Sequence, residues 1–341
     1  MARVAINGFG RIGRTFFRMA YGHPDIEIVA VNDLGSIESL AYLLTYDSVY
    51  GRSPFTVKVE GKDLLVDGKK ISVVQERDPV KLPWKDFGID IVVESTGLFT
   101  TFESNKPHLD AGAKRVVISA PAKGDPASVG ITGATVLMGV NDHELATCQV
   151  SSNASCTTNA TSPLIAILKQ AIGIEKAVLS TTHAYTASQA LVDGPSKKEL
   201  REGRAAALNI VPTSTGAAQA TTLAHPELEG KFDGVSLRVP VPVGSIVDVT
   251  FIASRNTTVE EINDALKAAA ADPKWTNIFT ATDEPLVSSD IVGSRVGSIA
   301  DLSFTRVVDG NLVKVFAWYD NETSYTQTLV EHVASVARLL K

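Results

Sequence analysis

A cysteine lies at the predicted start of a helix, in a setting that could make its thiol a nucleophile. Cys156 follows Ser155 among hydroxyl and amide side chains, and apolar residues at helical spacing follow, from Leu164 to Ile172. Ser155 is therefore predicted to be the helix N-cap, with Cys156 in the first turn. Backbone N–H groups and the helix dipole stabilise an anion there, so we expect this thiol to have a pKa below the usual value of about 8.5. Cys148, in an apolar setting, is predicted to be a buried structural residue.

A histidine in the next predicted strand is the candidate partner of this thiol. Residues 178–186 begin as a run of β-forming side chains, and a strand–helix–strand path would return His183 towards Cys156. An imidazole there could pair with the thiolate and later take a proton from a hydroxyl group. A lone histidine in a strand is more often structural, so the residue type alone leaves both roles open.

Three glycines near the N-terminus have the spacing of a dinucleotide-binding turn. Gly8, Gly10 and Gly13 stand between a predicted strand, residues 3–7, and a predicted helix, and Asp33 ends the next predicted strand. In such a motif the first glycine makes a tight turn, the second admits the pyrophosphate and the third allows close helix–strand packing. We therefore expect Asp33 to accept hydrogen bonds from the adenosine ribose.

The residues around these motifs resemble phosphorylating glyceraldehyde-3-phosphate dehydrogenase over almost the whole chain. The resemblance is carried by segments 154–159, 183–186, 193–196, 204–207, 212–218 and 237–240. It implies oxidation of glyceraldehyde 3-phosphate to 1,3-bisphosphoglycerate with NAD and inorganic phosphate, a step of glycolysis and gluconeogenesis. The reaction would pass through a thioester on Cys156, with His183 as its catalytic partner.

The resemblance also assigns binding residues, and it implies no metal site. Hydroxyls, backbone N–H groups and an arginine fork suit phosphate oxygens. The substrate phosphate is expected at Thr186 and Arg238, and the attacking phosphate at Ser155, Thr157, Thr215 and Gly216, with Arg201 facing these sites. The cofactor NAD is expected at Asn7, Gly8, Gly10, Arg11, Ile12, Gly13, Asp33, Arg77, Thr96, Gly97, Ser119, Asn321 and Tyr325. Asn321 would fix the nicotinamide carboxamide.

The sequence departs from the common pattern of that family at a few positions. Ala160 stands where many members carry a second cysteine, which the mechanism above does not need. Thr323 and Ser324 stand where an aromatic residue and a glycine are usual. We expect the second departure to alter packing near Asn321.

The order of predicted elements indicates an α/β protein with two domains. Strands alternate with helices before Cys156, which predicts a Rossmann-type, mostly parallel sheet with ligands at the carboxyl ends of its strands. Longer strands follow, which predicts an α+β catalytic domain with a largely antiparallel or mixed sheet. The predicted NAD-binding domain comprises residues 1–155 and 322–341, because the last helix returns to it in the family. The predicted catalytic domain is 156–321, including a long loop at 185–210.

The amino-acid composition of the chain indicates which partners and which cellular compartment to expect. The chain has 341 residues, 44% hydrophobic and 21% charged, with a net charge of −6, so no general footprint for nucleic acid is expected. No apolar run approaches the roughly 18 residues of a membrane span, and the N-terminus leaves no room for a signal peptide. Two cysteines do not make a disulfide framework, which favours the cytoplasm. The resemblance implies a homotetramer.

Two other functions remain compatible with the sequence motifs. An erythrose-4-phosphate dehydrogenase shares the cysteine, the histidine and the glycine motif. A non-catalytic NAD-binding redox sensor would need only the thiol and the cofactor site. The presence of His183, Arg238 and both sets of phosphate residues disfavours the sensor.

Overall fold

The computed structural model describes residues 1–196 and 199–341, so Lys197 and Lys198 of the predicted loop 185–210 lie outside the described residues. The chain divides into two compact units, Met1–Ala154 with Leu329–Lys341, and Ser155–Thr328. Among the described residues, no helix has the length and apolar character needed to cross a membrane.

A nine-stranded sheet forms the centre of the first unit. The unit contains β1 (Ala2–Asn7), α1 (Arg11–Ala20), β2 (Ile26–Asn32), α2 (Ile37–Thr45), β3 (Tyr46–Asp47), β4 (Gly51–Arg52), β5 (Val57–Glu60), β6 (Asp63–Val66), β7 (Lys69–Val74), β8 (Ile91–Glu94), α3 (Phe102–Asp110), β9 (Arg115–Ile118), β10 (Gly133–Thr135) and β11 (Val150–Ser152). The strand order is β10-β11-β9-β8-β1-β2-β7-β6-β5, and β3 pairs separately with β4. The strands from β10 to β7 are parallel, while β6 and β5 are antiparallel.

The central strands of this sheet are buried on both faces. Val4, Ala5 and Ile6 of β1 have no exposed surface, as expected for parallel strands covered on both sides. Asn7 pairs in register with Asn32 on one side and with Glu94 on the other. Polar side chains from three strands therefore meet at the carboxyl edge of the sheet, where ligands bind in folds of this type.

The second unit is built on a seven-stranded mixed sheet. It contains α4 (Cys156–Ile172), β12 (Ile174–Ala184), β13 (Val211–Ser214), α5 (Ala217–Ala224), β14 (Phe232–Val239), β15 (Ser245–Ala253), α6 (Val259–Ala270), β16 (Phe279–Thr282), β17 (Ser298–Val308), β18 (Leu312–Tyr319) and the first part of α7 (Thr323–Leu339). The order is β13-β14-β12-β15-β18-β17-β16. Of the described strand pairs in this second sheet, only β12–β14 and β16–β17 are parallel.

One face of the second sheet is covered by helices, and β15 shows this most clearly. Its burial alternates along the strand, with Val247, Val249 and Phe251 fully buried and the residues between them partly exposed. Helix α4 packs on β12, β15, β17 and β18, α5 packs on β14, and α6 packs on β16 and β17. The buried apolar side chains, which occur at every second residue of β15, therefore point to the helices.

The predicted fold class is confirmed, but the start of α6 differs from the capping box that Thr258-Val259-Glu260-Glu261 predicts. Thr258 accepts a hydrogen bond from the backbone of Glu261 at 3.2 Å, as an N-cap should. The side chain of Glu261 does not complete a capping box, because it bonds the guanidinium of Arg255 at 2.6 Å and the hydroxyl of Thr257 at 2.8 Å. A charge-assisted bond to arginine is stronger than one to a backbone N–H.

Candidate active site

The predicted nucleophile begins helix α4. Ser155 has an extended backbone, and its Oγ accepts a hydrogen bond from the backbone N–H of Thr158 at 3.1 Å. Ala154, just before it, has a φ of +55°, which is uncommon for a residue with a side chain. A tight turn followed by the Ser155 cap therefore fixes the start of α4 and places Cys156 in its first turn, as the sequence predicts.

The start of one helix and the ends of two strands bring the predicted catalytic pair, Cys156 and His183, together. Cys156 Sγ lies 3.3 Å from Nε2 of His183. His183 is near the end of β12, in register with Arg238 on the parallel strand β14. Arg238 Nη1 lies 2.8 Å from His183 Nδ1 and donates to the carbonyl oxygen of Ala184 at 3.2 Å. The thiol, the imidazole and the guanidinium thus form one contiguous cluster.

The position of the proton on His183 depends on Arg238. Nδ1 also lies 2.6 Å from the carbonyl oxygen of Ala184, an acceptor. Guanidinium nitrogens only donate, so Nδ1 either accepts from Arg238 or donates to Ala184. When it accepts, the ring proton is on Nε2 and faces the sulfur of Cys156. When it donates, Nε2 is a free acceptor and can act as a base.

Burial and Arg238 oppose the charged form of this histidine. Burial, with the Arg238 cation as the second cause, lowers the pKa of His183 to about 3. Burial also raises the pKa of the Cys156 thiol, against the lowering effect of Arg238 and of hydrogen bonds from Thr157. Burial therefore opposes the low pKa that the sequence predicts for the Cys156 thiol. An uncharged His183 would stabilise a thiolate only through a proton on Nε2, which faces the sulfur.

The hydroxyl of Thr157 is directed into the protein. Thr157 Oγ1 and Thr181 Oγ1 each lie 2.9 Å from the hydroxyl of Tyr319, and all three residues are buried. The Tyr319 ring packs edge-on against His183, with ring centroids 5.9 Å apart. The hydroxyl of Thr157, predicted to contact a phosphate, therefore already has a partner within the protein, Tyr319.

The other predicted phosphate residues lie in loops and at a helix start. Thr186 follows β12, and its hydroxyl lies 3.0 Å from that of Ser188. Thr215 accepts from the backbone N–H of Ala217 at 3.2 Å, and Gly216 is the N-cap of α5. Val211 of β13 pairs with Arg238, whereas Ser214 pairs with Val235, so the register separates Thr215 from Arg238. Arg201 is exposed in the short 3₁₀ helix Leu200–Gly203.

Asn321 is held by its carbonyl oxygen in the second unit. Its Oδ1 accepts from the backbone N–H of Gly244 and from the hydroxyl of Ser245, both at 3.1 Å. Tyr325, also predicted to bind the cofactor, is buried in α7. The unusual residues Thr323 and Ser324 both donate to the carbonyl oxygen of Ser294, at 2.8 and 3.2 Å. These hydroxyls therefore fasten the start of α7 to the segment around residue 294.

A cavity of about 280 Å³ lies in the first unit at the carboxyl edge of its sheet. The predicted cofactor residues that line it are Asn7, Gly8, Gly10, Asp33, Arg77 and Thr96. Gly8 has a φ of +91°, and a Cβ there would lie 2.5 Å from the backbone nitrogen of Thr96. A Cβ on Gly13 would lie 2.1 Å from the carbonyl oxygen of Gly8, whereas one on Gly10 would meet no atom within 4 Å. The packing of the protein itself therefore requires glycine at positions 8 and 13, whereas Gly10 borders open space.

Asp33 holds the rim of this cavity through both of its carboxylate oxygens. One accepts from the backbone N–H of Phe9 at 2.8 Å and the other from that of Gly35 at 2.9 Å. Each oxygen keeps further acceptor capacity, so the carboxylate can still bind ribose hydroxyls. Asp33 therefore ties the glycine turn to the end of β2.

A buried carboxylate supports the other side of the same cavity. Glu94, at the end of β8, accepts from the amide of Asn7 at 2.5 Å, from the backbone N–H of Thr96 at 2.8 Å and from the hydroxyl of Thr96. His108 Nδ1 accepts from the indole of Trp84 at 3.1 Å, so Nε2 carries the proton and faces Glu94 at 3.3 Å. The turn after β8 is thus fixed before any ligand binds.

The remaining predicted cofactor residues of this unit surround the cavity without lining it. The side chain of Arg11 pairs with Asp47 at 2.5 Å, so only its backbone N–H faces the helix terminus. Ile12 and Gly13 follow it in the first turn of α1. Gly97 is exposed with a φ of +71°, and Ser119 follows β9, where its N–H bonds the carbonyl oxygen of Glu94 at 2.9 Å.

Sequence reasoning missed several residues that line the cavity. They are Asn32, Leu34, Glu76, Ser95, Leu98 and Phe99. Glu76 follows β7, which pairs in parallel with β2. The signal available in the sequence was position, since every one of these residues lies at the end of a strand or shortly after it, at the ligand edge.

The residues around this cavity fit a dinucleotide. Helix α1 begins after Gly10 with no side-chain cap and no acidic residue in its first turn, so its N–H groups can bind a pyrophosphate. Gly10 leaves room for that group to approach the backbone. The carboxylate of Asp33 lies where ribose hydroxyls are bound in such folds.

Comparison with known proteins gives the same result for the whole chain. The model of the glyceraldehyde 3-phosphate dehydrogenase NAD binding domain matches residues 2–102, and that of the C-terminal domain matches residues 155–321. Glyceraldehyde-3-phosphate dehydrogenase of Zymomonas mobilis is 48% identical over 341 residues, covering 99% of each chain. The enzymes of Geobacillus stearothermophilus and Mycobacterium avium are each 50% identical, covering 98% and 99% of both chains. The chain belongs to the glyceraldehyde-3-phosphate dehydrogenase family.

Proposed function

We propose that this protein is an NAD-dependent enzyme that oxidises glyceraldehyde 3-phosphate and phosphorylates the product to 1,3-bisphosphoglycerate, a step of glycolysis and gluconeogenesis. The observation that carries the proposal is the contact of 3.3 Å between Cys156 Sγ and His183 Nε2, at a helix start and beside Arg238. A nucleophile, a base and a fixed cation are the groups needed to oxidise a phosphorylated aldehyde through a thioester and then transfer the acyl group.

The sulfur of Cys156 forms a bond to the aldehyde carbon while the thiol proton passes, through His183, to the carbonyl oxygen, giving a hemithioacetal. His183 Nε2 then takes the proton of the hemithioacetal hydroxyl group as the carbon is oxidised to a thioester on Cys156; NAD, when bound, would supply the hydride acceptor for this oxidation. Inorganic phosphate attacks the thioester carbon, the carbon–sulfur bond breaks, and His183 returns its proton to the sulfur, so that the acyl phosphate leaves with Cys156 restored.

Arg238 links substrate binding to the base. A phosphate group that binds Arg238 neutralises the charge that faces His183 and competes for its Nη1 donor. Nδ1 then donates to the Ala184 carbonyl oxygen, 2.6 Å away, and Nε2 becomes the acceptor that the reaction needs. The same neutralisation removes one of the two causes that lower the pKa of His183.

The phosphate residues are assigned to two sites in this proposal. Thr186 and Arg238 hold the phosphate of the substrate. The attacking phosphate is held by hydroxyls and N–H groups at two helix starts, with Arg201 nearby; these are Ser155, Thr157, Thr215 and Gly216. Support for two sites comes from the sheet register, which separates Arg238 from Thr215.

NAD is bound by the residues that the sequence predicts, Asn321 and Tyr325 included. The NAD-binding domain corresponds to residues 1–155 and 322–341, and the catalytic domain to 156–321 with the loop 185–210. These limits are supported by the two compact units, whose boundaries fall after Ala154 and after Thr328.

The other two candidate functions are not favoured. The relatives reported above are named glyceraldehyde-3-phosphate dehydrogenase rather than erythrose-4-phosphate dehydrogenase. A redox sensor would not require a base and an arginine that contact each other beside the thiol.

A four-way assay tests the proposed reaction. NADH formation is followed with glyceraldehyde 3-phosphate or erythrose 4-phosphate, each with and without inorganic phosphate. We expect fast oxidation only with glyceraldehyde 3-phosphate and inorganic phosphate together. Equal rates without phosphate would refute phosphorolysis, and a faster rate with erythrose 4-phosphate would move the proposal to that substrate.

The proposal includes a cytoplasmic homotetramer. The sheet face of the second unit that its helices leave uncovered carries exposed apolar side chains, with Val178 61%, Val235 54% and Phe304 55% exposed. Apolar surface of this kind often marks an interface between subunits. Light scattering at micromolar concentration is expected to give the mass of four chains, and a monomer would refute it.

A further inference from the structure

A single buried hydroxyl group connects Asn321 with the end of the strand that carries His183. Ser245 is 1% exposed and opens β15, which lies between β12 and β18 in the sheet. Its Oγ accepts from the backbone N–H of Ala184 at 3.0 Å and donates to Oδ1 of Asn321 at 3.1 Å. Both hydrogen-bonding functions of the hydroxyl are therefore used, one on each neighbouring strand end.

The direction of each bond is fixed by chemistry. The backbone N–H of Gly244 can only donate, so the atom of Asn321 that it meets must be the amide oxygen. The Ser245 hydroxyl, which accepts from the Ala184 N–H, then directs its proton to that same oxygen. If the amide were reversed, its NH₂ group would face the N–H of Gly244, a donor against a donor. The oxygen of Asn321 is thus held inward, and its NH₂ group points the other way.

The backbone that presents these donors has little freedom. Gly244 has a φ of +98°, and a Cβ there would lie 2.5 Å from the carbonyl oxygen of Ser288. Only glycine fits this position, so the Gly244 N–H and the Ser245 hydroxyl are held at fixed places. Ala184, on the other side, also contacts the guanidinium of Arg238 and the ring of His183 through its carbonyl oxygen.

We propose that Ser245 is a positioning residue that orients the amide of Asn321 towards the nicotinamide carboxamide and joins it to the strand end of His183. The inference rests on the proposed function, because it takes Asn321 to bind the cofactor. Ser245 itself touches neither substrate nor cofactor in this assignment. It acts together with the Gly244 N–H, by a second hydrogen bond that holds the oxygen of Asn321 inward so that the NH₂ group faces the ligand.

The test is a double-mutant cycle on NADH binding to the full-length protein. Ser245→Ala is expected to weaken NADH binding about fivefold, the effect of one neutral hydrogen bond. Asn321→Ala is expected to weaken it about tenfold, and the double variant no more than twofold beyond Asn321→Ala, because the two residues act as one unit. Effects that multiply, or unchanged binding in a folded Ser245→Ala protein, would overturn the proposal.

The chain offers a matched control for the loss of a buried hydroxyl. Thr305 is 1% exposed, and its Oγ1 donates to the side-chain oxygen of Asn263 at 2.7 Å, the same kind of bond in the same unit. Thr305→Val should lower Tm as Ser245→Ala does but leave NADH binding within twofold of the parent. If Thr305→Val weakened NADH binding equally, the effect at Ser245 would be structural and the proposal would fail.

Two further measurements keep the outcome interpretable. Ser245→Cys retains the side-chain volume with a weak donor, so it should weaken NADH binding even if Ser245→Ala does not fold. Binding by Ser245→Cys equal to that of the parent would count against the proposal. The cycle does not depend on turnover, so a failure of the proposed reaction would appear separately, as no NADH formation by the parent.

Discussion

The cavity of the first unit and the cysteine site of the second unit are built in different ways. The cavity is formed by backbone geometry, and the carboxylates that shape it, Asp33 and Glu94, already bond N–H groups of the chain. At the cysteine site, His183 Nδ1 has two neighbours that it cannot satisfy together, and burial opposes the charge of both members of the pair. A cavity held in this way is ready for its ligand, whereas we propose that the proton on His183 moves when an anion binds Arg238.

The largest expected effect separates the two regions. Cys156→Ala should reduce aldehyde oxidation by on the order of 10⁴-fold or more, because the covalent step is lost. NAD binding should be unchanged, since Cys156 is not among the residues proposed to bind NAD and the cavity residues lie in the other unit. Steady-state kinetics and calorimetry would measure the two effects. A variant that loses both activity and NAD affinity would show that the regions are not independent.

A second prediction compares two glycines of the cavity. Gly13→Ala places a Cβ 2.1 Å from the carbonyl oxygen of Gly8, so it should destabilise the protein by about 1 to 3 kcal/mol and weaken NAD binding about 100-fold. Gly10→Ala meets no protein atom within 4 Å, so the free energy of unfolding should stay the same while NAD binding weakens. Urea unfolding and NAD titration would check both variants. Unaltered NAD affinity in Gly10→Ala would contradict the pyrophosphate position.

A third prediction concerns the choice of cofactor. The carboxylate of Asp33 should repel a 2′-phosphate, and residues 34–37 contain no arginine or lysine to bind one. The parent should therefore prefer NAD, and Asp33→Asn should reduce that preference about tenfold. The ratio of kcat/KM for NAD and NADP measures the effect. An equal ratio in the parent would remove this role from Asp33.

The two regions also differ in how far the sequence predicts them. The glycine motif, the Ser155 cap and the mixture of sheets follow from local pattern, and the structure agrees with them. Glu76 and Phe99 were not predicted as cavity residues, because their position depends on strands paired across the sheet. The inward bond of Thr157 to Tyr319 joins residues far apart in the chain, so no local pattern indicates it.

The charge states of Cys156 and His183 could not be predicted either, because they also depend on residues far apart in the chain. The position of Cys156 at a helix start and its neighbouring hydroxyls predicted a thiol of low pKa. These effects come from residues close in the chain, so the sequence shows them. Burial depends on everything packed around the sulfur, and the contact between Arg238 and His183 depends on the β12–β14 register. The burial of the sulfur and the contact between Arg238 and His183 both form only when the whole unit is folded.

The contact between Cys156 and His183 is tested most directly by alkylation of the thiol. Iodoacetamide labelling against pH is compared in the parent and in His183→Asn, with labelled sites located by mass spectrometry. Cys148 is an internal control, because burial, with Glu144 as a lesser cause, raises its pKa to about 11 without any contribution from His183. Thiolate reacts and thiol does not, so labelling of either cysteine rises as the pH rises through its pKa.

An uncharged His183 whose Nδ1 accepts from Arg238 carries its proton on Nε2, facing the sulfur. If that proton stabilises the thiolate by about 1 to 3 kcal/mol, the Cys156 midpoint in His183→Asn should lie roughly one to two units higher than in the parent. The Cys148 profile should be the same in both proteins. Identical Cys156 profiles in the parent and in His183→Asn would mean that the helix start and Arg238 alone set the reactivity of the thiol, and would contradict the catalytic pair.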